Sequence, residues 1–187
     1  MTEKKKNPTV GRVDVSQRAG GDQPTSGLKI SRLFSASREA LWRAWTEPEL
    51  LKQWHGPKQF TAPVIELDLR YGGKYLFCMR SSDGKDYWST GTYREIVPNE
   101  KLVCTDSFAD AQGNVVPGSY YGLPGDFPLE MLVTVTFSDE AGRTRMTVFQ
   151  EGMPGGQMGE MATQGWNESL DKLAAVEIGR ASCRERV

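Results

Sequence analysis

The side chains able to do chemistry in this chain are few and widely spaced. His55 is the only histidine, so a Ser-His-Asp or Cys-His relay would have to run through it. It stands just before Gly56-Pro57, at what reads as a helix end. An imidazolium there meets a favourable helix dipole, and a structural or surface role suits the position better than catalysis. Cys78, Cys104 and Cys183 are the three cysteines. None forms a CxxC pair, and one histidine with scattered thiols gives too few ligands for zinc or another soft metal. Glu66, Asp68 and Arg70 alternate along one predicted strand and so point to one side. Two carboxylates held by an arginine can move protons. The same spacing also describes an ordinary solvent-facing charge ladder. Residues 152–159 are rich in glycine but match neither a P-loop nor GxGxxG. Asn167-Glu168-Ser169 is a glycosylation sequon with no export signal to support it. No catalytic triad, metal or cofactor is therefore expected.

Composition narrows the class further. The 187 residues suit one domain with tails. The formal net charge is −1, so no global field favours nucleic acid or an anionic membrane. Lys4-Lys5-Lys6 is the only basic run and reads as a solvated tail. No apolar run is long enough to span a bilayer, and the charged N-terminus lacks the apolar core of a secretory signal. A cytoplasmic protein with reduced thiols is expected.

The elements that must position these side chains follow from periodicity. Residues 1–26 carry Gly20-Gly21, Pro24 and few large apolar groups. Such a segment buries too little surface to offset its ordering entropy, and is expected to be a disordered tail. A first strand spans about Leu28–Phe34. Ser37 is placed to cap a helix whose apolar side is Leu41, Ala44 and Trp45. Pro48 suits the first position of a second short helix ending at Gly56-Pro57. Strands are predicted over Thr61–Leu69, Lys74–Arg80, Tyr87–Val97 and Lys101–Phe108, with Gly72-Gly73 and Asp83-Gly84 as turns. Residues 115–128 form a long loop carrying Tyr120, Tyr121, Leu123 and Phe127. It is either a binding loop or an aromatic plug over the core. A final hairpin, Leu129–Ser138 and Thr144–Glu151, leads to a long helix from about Gly156 to Val176.

That helix has an interrupted apolar arc. Met158, Met161, Ala162, Trp166, Leu170 and Leu173 line one side. Gly165 and Ser169 fall among them, one turn apart, where larger residues would fill a core. Missing volume for a ligand and close packing against a bulky sheet residue both explain the gap.

The stretch Leu41-Trp-Arg-Ala-Trp-Thr-Glu-Pro-Glu-Leu-Leu-Lys-Gln-Trp-His-Gly-Pro57 resembles a signature of Hsp90-activator-homologue-like proteins, a branch of the Bet v 1/START superfamily. Asp68-Leu-Arg-Tyr-Gly-Gly73, Gly91-Thr-Tyr-Arg-Glu-Ile-Val-Pro98 and the terminal Gly165-Trp166 with Leu170 and Leu173 are similar to its later motifs. The likeness runs over residues 28–177 in order. It implies an α+β helix-grip fold: a curved antiparallel sheet of about seven strands around the C-terminal helix, with two short helices after the first strand. The domain would be residues 27–177. Residues 178–187 do not resemble the family's ending and read as a non-native or disordered tail. His55 stands where the family often has a second tryptophan, which makes the nearby rim more polar.

The resemblance also implies a hydrophobic cavity between sheet and helix. Phe77, Met79, Tyr93, Met131, Met161, Gly165, Trp166 and Ser169 are the expected lining, with Trp54, His55 and Tyr121 at the rim. The leading expectation is binding of a small apolar or aromatic molecule, since methionines and aromatics make an adaptable wall. An enzyme of the cyclase or hydratase type would instead need a polar cavity group, with Tyr93, Asp106 or His55 as candidates. A co-chaperone-like domain with a protein partner would need an exposed apolar patch, for instance on the 115–128 loop.

Overall fold

The computed structural model describes residues 27–124 and 127–176. The expected tails, residues 1–26 and 178–187, lie outside this range. The element order is β1 (Gly27–Phe34), α1 (Arg38–Thr46), α2 (Pro48–Leu51), β2 (Thr61–Leu67), β3 (Lys74–Arg80), β4 (Asp86–Val97), β5 (Lys101–Ala109), β6 (Met131–Glu140), β7 (Arg143–Glu151) and α3 (Gly156–Ala175).

The seven strands form one antiparallel sheet in the order β1-β7-β6-β5-β4-β3-β2. Strands β2 to β7 are a simple meander, each pairing with the next in sequence. The two helices between β1 and β2 carry the chain from one edge of the sheet to the other. The sheet curls into a half-barrel, and α3 lies against it. The architecture is the helix-grip α+β arrangement that the family resemblance implies.

Local chemistry sets the boundaries. Ser37 caps α1, its Oγ accepting from the Ala40 N–H at 3.1 Å. Pro48 opens α2, where its missing N–H costs nothing. Within the 115–128 segment, Gly118–Tyr121 form a 3-10 turn. Between β4 and β5, the Tyr121 hydroxyl accepts from the Trp88 N–H at 2.9 Å and donates to the Ala109 carbonyl at 2.6 Å. That single hydroxyl ties the loop to two strands.

The two sheet edges differ. β2 carries Pro63 and a break in register between Thr61 and Val64. β1 packs beside α3, where Arg32 bonds Asp171 at 2.5 Å and the side-chain oxygen of Asn167 at 3.0 Å. Glu66, Asp68 and Arg70 are exposed, and Arg70 pairs with Asp68 at 2.6 Å. Only Glu66 lies on β2, while Asp68 and Arg70 belong to the turn after it, so the three form neither the one-strand ladder expected nor an acid–base site.

The solid core lies where α1 and α2 meet the sheet. Leu41, Leu51, Trp54 and Met146 are almost fully buried. Trp45 sits between Trp54, at 4.8 Å, and Trp166 of α3, stacked at 6.0 Å.

Candidate functional site

The space left between the curled sheet and α3 is a cavity of about 420 Å³. This lies within the size range of small-molecule sites, roughly 300–1,000 Å³. From the sheet, Phe77, Met79, Tyr93 and Met131 border it. From α3, Met161, Gly165, Trp166 and Ser169 border it, with Met161 58% exposed at one end. His55 and Tyr121 also border it, whereas Trp54 does not. Trp54 is fully buried and donates its indole N–H to the Ala44 carbonyl at 2.9 Å. It is a pillar beneath the site and not part of its rim.

The gap in the apolar arc of α3 has a plain cause. A Cβ at Gly165 would meet only Pro57 Cγ, at an ordinary 3.5 Å. No bulky sheet residue presses on this glycine, so close packing does not explain it. Ser169 turns its hydroxyl back to the Gly165 carbonyl at 2.9 Å, which leaves the cavity wall without a free donor there.

One polar chain crosses the apolar wall. The Tyr75 hydroxyl reaches Asp106 Oδ1 at 2.8 Å and the Thr105 carbonyl at 3.0 Å. Gln150 Nε2 donates to Asp106 Oδ2 at 3.1 Å, and Trp166 Nε1 donates to Gln150 Oε1 at 3.0 Å. Tyr75 on β3 and Asp106 on β5 are separated by β4, and Gly91 is what lets them meet. Tyr75 pairs with Gly91, and the pairs Thr90–Ser107 and Tyr93–Cys104 bracket Gly91 and Asp106. A Cβ at Gly91 would stand 2.6 Å from the Tyr75 ring and 1.8 Å from the Thr105 carbonyl. The bare backbone is thus the floor on which the tyrosine lies.

Burial dominates the electrostatics of this chain. It pushes the Asp106 carboxyl above its ordinary range, while the hydrogen bond from Tyr75 pulls the other way. Burial, then the charge of Asp106, raises the Tyr75 phenol well above its usual value. Burial likewise raises the Cys104 thiol and the Tyr93 phenol. Neither is an activated nucleophile. The Tyr75–Asp106 pair has two proton arrangements. Ionised, Asp106 accepts from Tyr75. Neutral, it donates to the Tyr75 oxygen, and the Tyr75 hydroxyl then donates its hydrogen bond to the Thr105 carbonyl. The pair can hold or release one proton without breaking the network.

His55 occupies the opposite kind of environment. Its ring stands edge-on to Phe77 at 5.2 Å, and its Nε2 is buried without a hydrogen-bond partner among the described residues. Burial first, and the nearby Lys172 ammonium second, lower its pKa to about 4. The imidazole is therefore neutral near pH 7 and does not carry the charge that the helix-end dipole would favour. Lys172 itself is clamped by the loop after α2. Its Nζ donates toward the carbonyls of Gly56 at 2.9 Å, Phe60 at 3.0 Å and Pro57 at 3.3 Å. Gly56 is the hinge of that loop, with φ +92° and Met79 Sδ 3.1 Å from where a Cβ would sit.

Asp106 is a candidate from the sequence alone, but its partners are not. Tyr75 and Gln150 carry the network, and the signal that could have found them is Gly91, since a glycine inside a strand marks a close approach. A second, larger hollow of about 660 Å³ runs along the start of α3, lined by Gly27, Pro154, Gly155, Glu160 and Gln164. It gathers no buried polar group and is a surface trough.

The fold, the cavity and the order of the motifs agree with one family. The profile described as Activator of Hsp90 ATPase homolog 1-like protein matches residues 35–177. The chain belongs to that family. A crystal structure of a protein from Chromobacterium violaceum is similar at 32% identity, with a TM-score of 0.67, over 80% of this chain and 95% of that one. A Nitrosomonas europaea protein matches at 24% identity, TM-score 0.68, over 86% and 98% of the two chains. The AHSA1 protein of Silicibacter pomeroyi matches at 23% identity, TM-score 0.64, over 80% and 96%. No curated protein matches the chain. Members of this family commonly bind ligands or proteins. No helix among the described residues is long and apolar enough to cross a membrane.

Proposed function

We propose that this protein binds a small apolar or aromatic molecule in the cavity between its sheet and α3. The observation that carries this reading is the cavity itself: about 420 Å³ of space walled by methionines and aromatic rings. A core that merely held the fold together would close such a volume, because each unfilled ångström costs packing energy. The Nε2 of His55, without a partner among the described residues, supports the reading, since a buried polar atom left unpaired is expensive unless something supplies a partner.

The test uses the neutral fluorophore N-phenyl-1-naphthylamine. Saturable, blue-shifted emission at one probe per chain is expected, with the complex seen in native mass spectrometry. Ser169→Leu should fill part of the space. Its melting temperature is expected to stay within about 2 °C of wild type, because the new side chain enters a void and forces little strain. Its probe affinity should fall about tenfold. Absence of saturable binding, or a steep stability loss in Ser169→Leu, overturns the proposal in favour of a solid core.

A protein partner is the second reading. Val115 and Tyr120 of the 115–128 loop are 54% and 60% exposed, and the family takes its name from an activator of the Hsp90 ATPase. Stimulation of a purified Hsp90 ATPase by this chain, lost on Tyr120→Ser, would establish it. An unchanged ATPase rate would dismiss it.

A further inference from the structure

Asp106 is the only carboxyl group among the described residues that borders the cavity, and no lysine or arginine among them borders it. Its two oxygens meet Tyr75 and Gln150, both uncharged. An ionised carboxylate in such a place has its hydrogen bonds but not its counter-ion, and burial without a counter-ion is costly. A cation arriving with a ligand would remove that cost and favour the ionised form.

The wall supplies a second, independent observation. Tyr75 and Phe77 stack at 4.4 Å, and Tyr75 lies 6.0 Å from Tyr93. Trp166 stacks on Trp45 at 6.0 Å, and both border the cavity. Aromatic faces attract cations, more strongly where water is excluded, and they repel anions. Two cations of the described residues on the elements around the cavity are engaged elsewhere. Lys172 is held by backbone carbonyls of the loop after α2, and Arg32 pairs with Asp171 beside β1.

We infer that the ligand is an organic cation, an amine or quaternary ammonium carried on an apolar or aromatic body, with Asp106 as its counter-ion inside an aromatic wall. This inference rests on the cavity reading above and names the class of molecule that the cavity takes.

Three compounds of one shape separate the possibilities: 2-naphthylmethylamine, 2-naphthalenemethanol and 2-naphthoate. Each would compete with N-phenyl-1-naphthylamine on the full-length protein at pH 7. The amine is expected to bind about tenfold or more tightly than the alcohol, as a desolvated charge pair should, and the carboxylate weakest. Asp106→Asn should bring the amine down to the affinity of the alcohol and leave the alcohol within about twofold. The wild-type ranking decides the matter even if that variant folds poorly. An alcohol or carboxylate equal to the amine overturns the inference, as does an amine preference that survives in Asp106→Asn. Failure of all three competitors while the fluorophore still binds also overturns it and leaves the cavity reading intact. Failure of the fluorophore itself overturns both.

Discussion

His55 shows how one side chain can tie stability to pH. In the unfolded chain its imidazole has an ordinary pKa of 6.5, and in the folded protein burial lowers this to about 4. Between those values the unfolded state binds the extra proton, so stability rises with pH and is lost as pH falls from 6.5 toward 4. The full difference corresponds to about 3 kcal/mol. Asp106 acts in the other direction. Its pKa is raised above 3.8 on folding, so its contribution is present at low pH and lost as pH rises through the folded value. Comparing wild type with His55→Phe cancels the Asp106 part, since both proteins keep it. Urea denaturation at pH 4 and pH 6.5 is expected to show wild type losing about 3 kcal/mol more than His55→Phe on acidification. Equal losses would mean that the imidazole is solvated and charged in the folded state. The sequence did not show this burial. It placed His55 at a helix end, but the loop that encloses it is fastened by Lys172, 117 residues away.

At the scale of the element, α3 combines strong features with one weak one. Leu170 and Leu173 are fully buried and Trp166 stacks on Trp45, as the apolar arc predicts. Gly165 stands in the middle of the helix with only Pro57 Cγ nearby. Alanine there should keep the fold and remove the backbone entropy cost of glycine. Gly165→Ala is expected to stabilise the protein by about 0.5–1 kcal/mol, measured by chemical denaturation. A loss of stability would show that the helix and the loop at Pro57 pack more closely than this geometry allows. Strand alternation is legible along the chain: the period-two rule puts Tyr75, Phe77 and Met79 on one face of β3, and all three line the cavity. The contact between Tyr75 and Asp106 was not legible. It depends on the register of β3 with β4 and of β4 with β5 at once, and register is fixed by pairings between distant residues rather than by any local pattern.

For the whole molecule, the meander and the terminal helix were readable because every turn carried its own signal, from Gly72-Gly73 to Asp83-Gly84. The cavity was not readable from periodicity alone, since a lining methionine and a core methionine have the same spacing. The sheet begins at Gly27 and the family profile at residue 35. Residues 1–26 are proposed to be dispensable for folding, on their lack of large apolar side chains. A chain starting at Gly27 is expected to melt within about 2 °C of the full-length protein by calorimetry, and a larger drop would show that the tail packs on the domain.

Pro63 and the register break beside it sit on the outer strand of a long meander. Open strand edges invite pairing with the edge of another molecule, and bulges and prolines are among the devices that discourage it. β2 has both within three residues of its start. A hollow protein also has fewer packing contacts to spare, and it exposes its strands more often during partial opening. The irregular edge offsets that risk. It makes β2 a poor partner for the sheet edge of a second molecule.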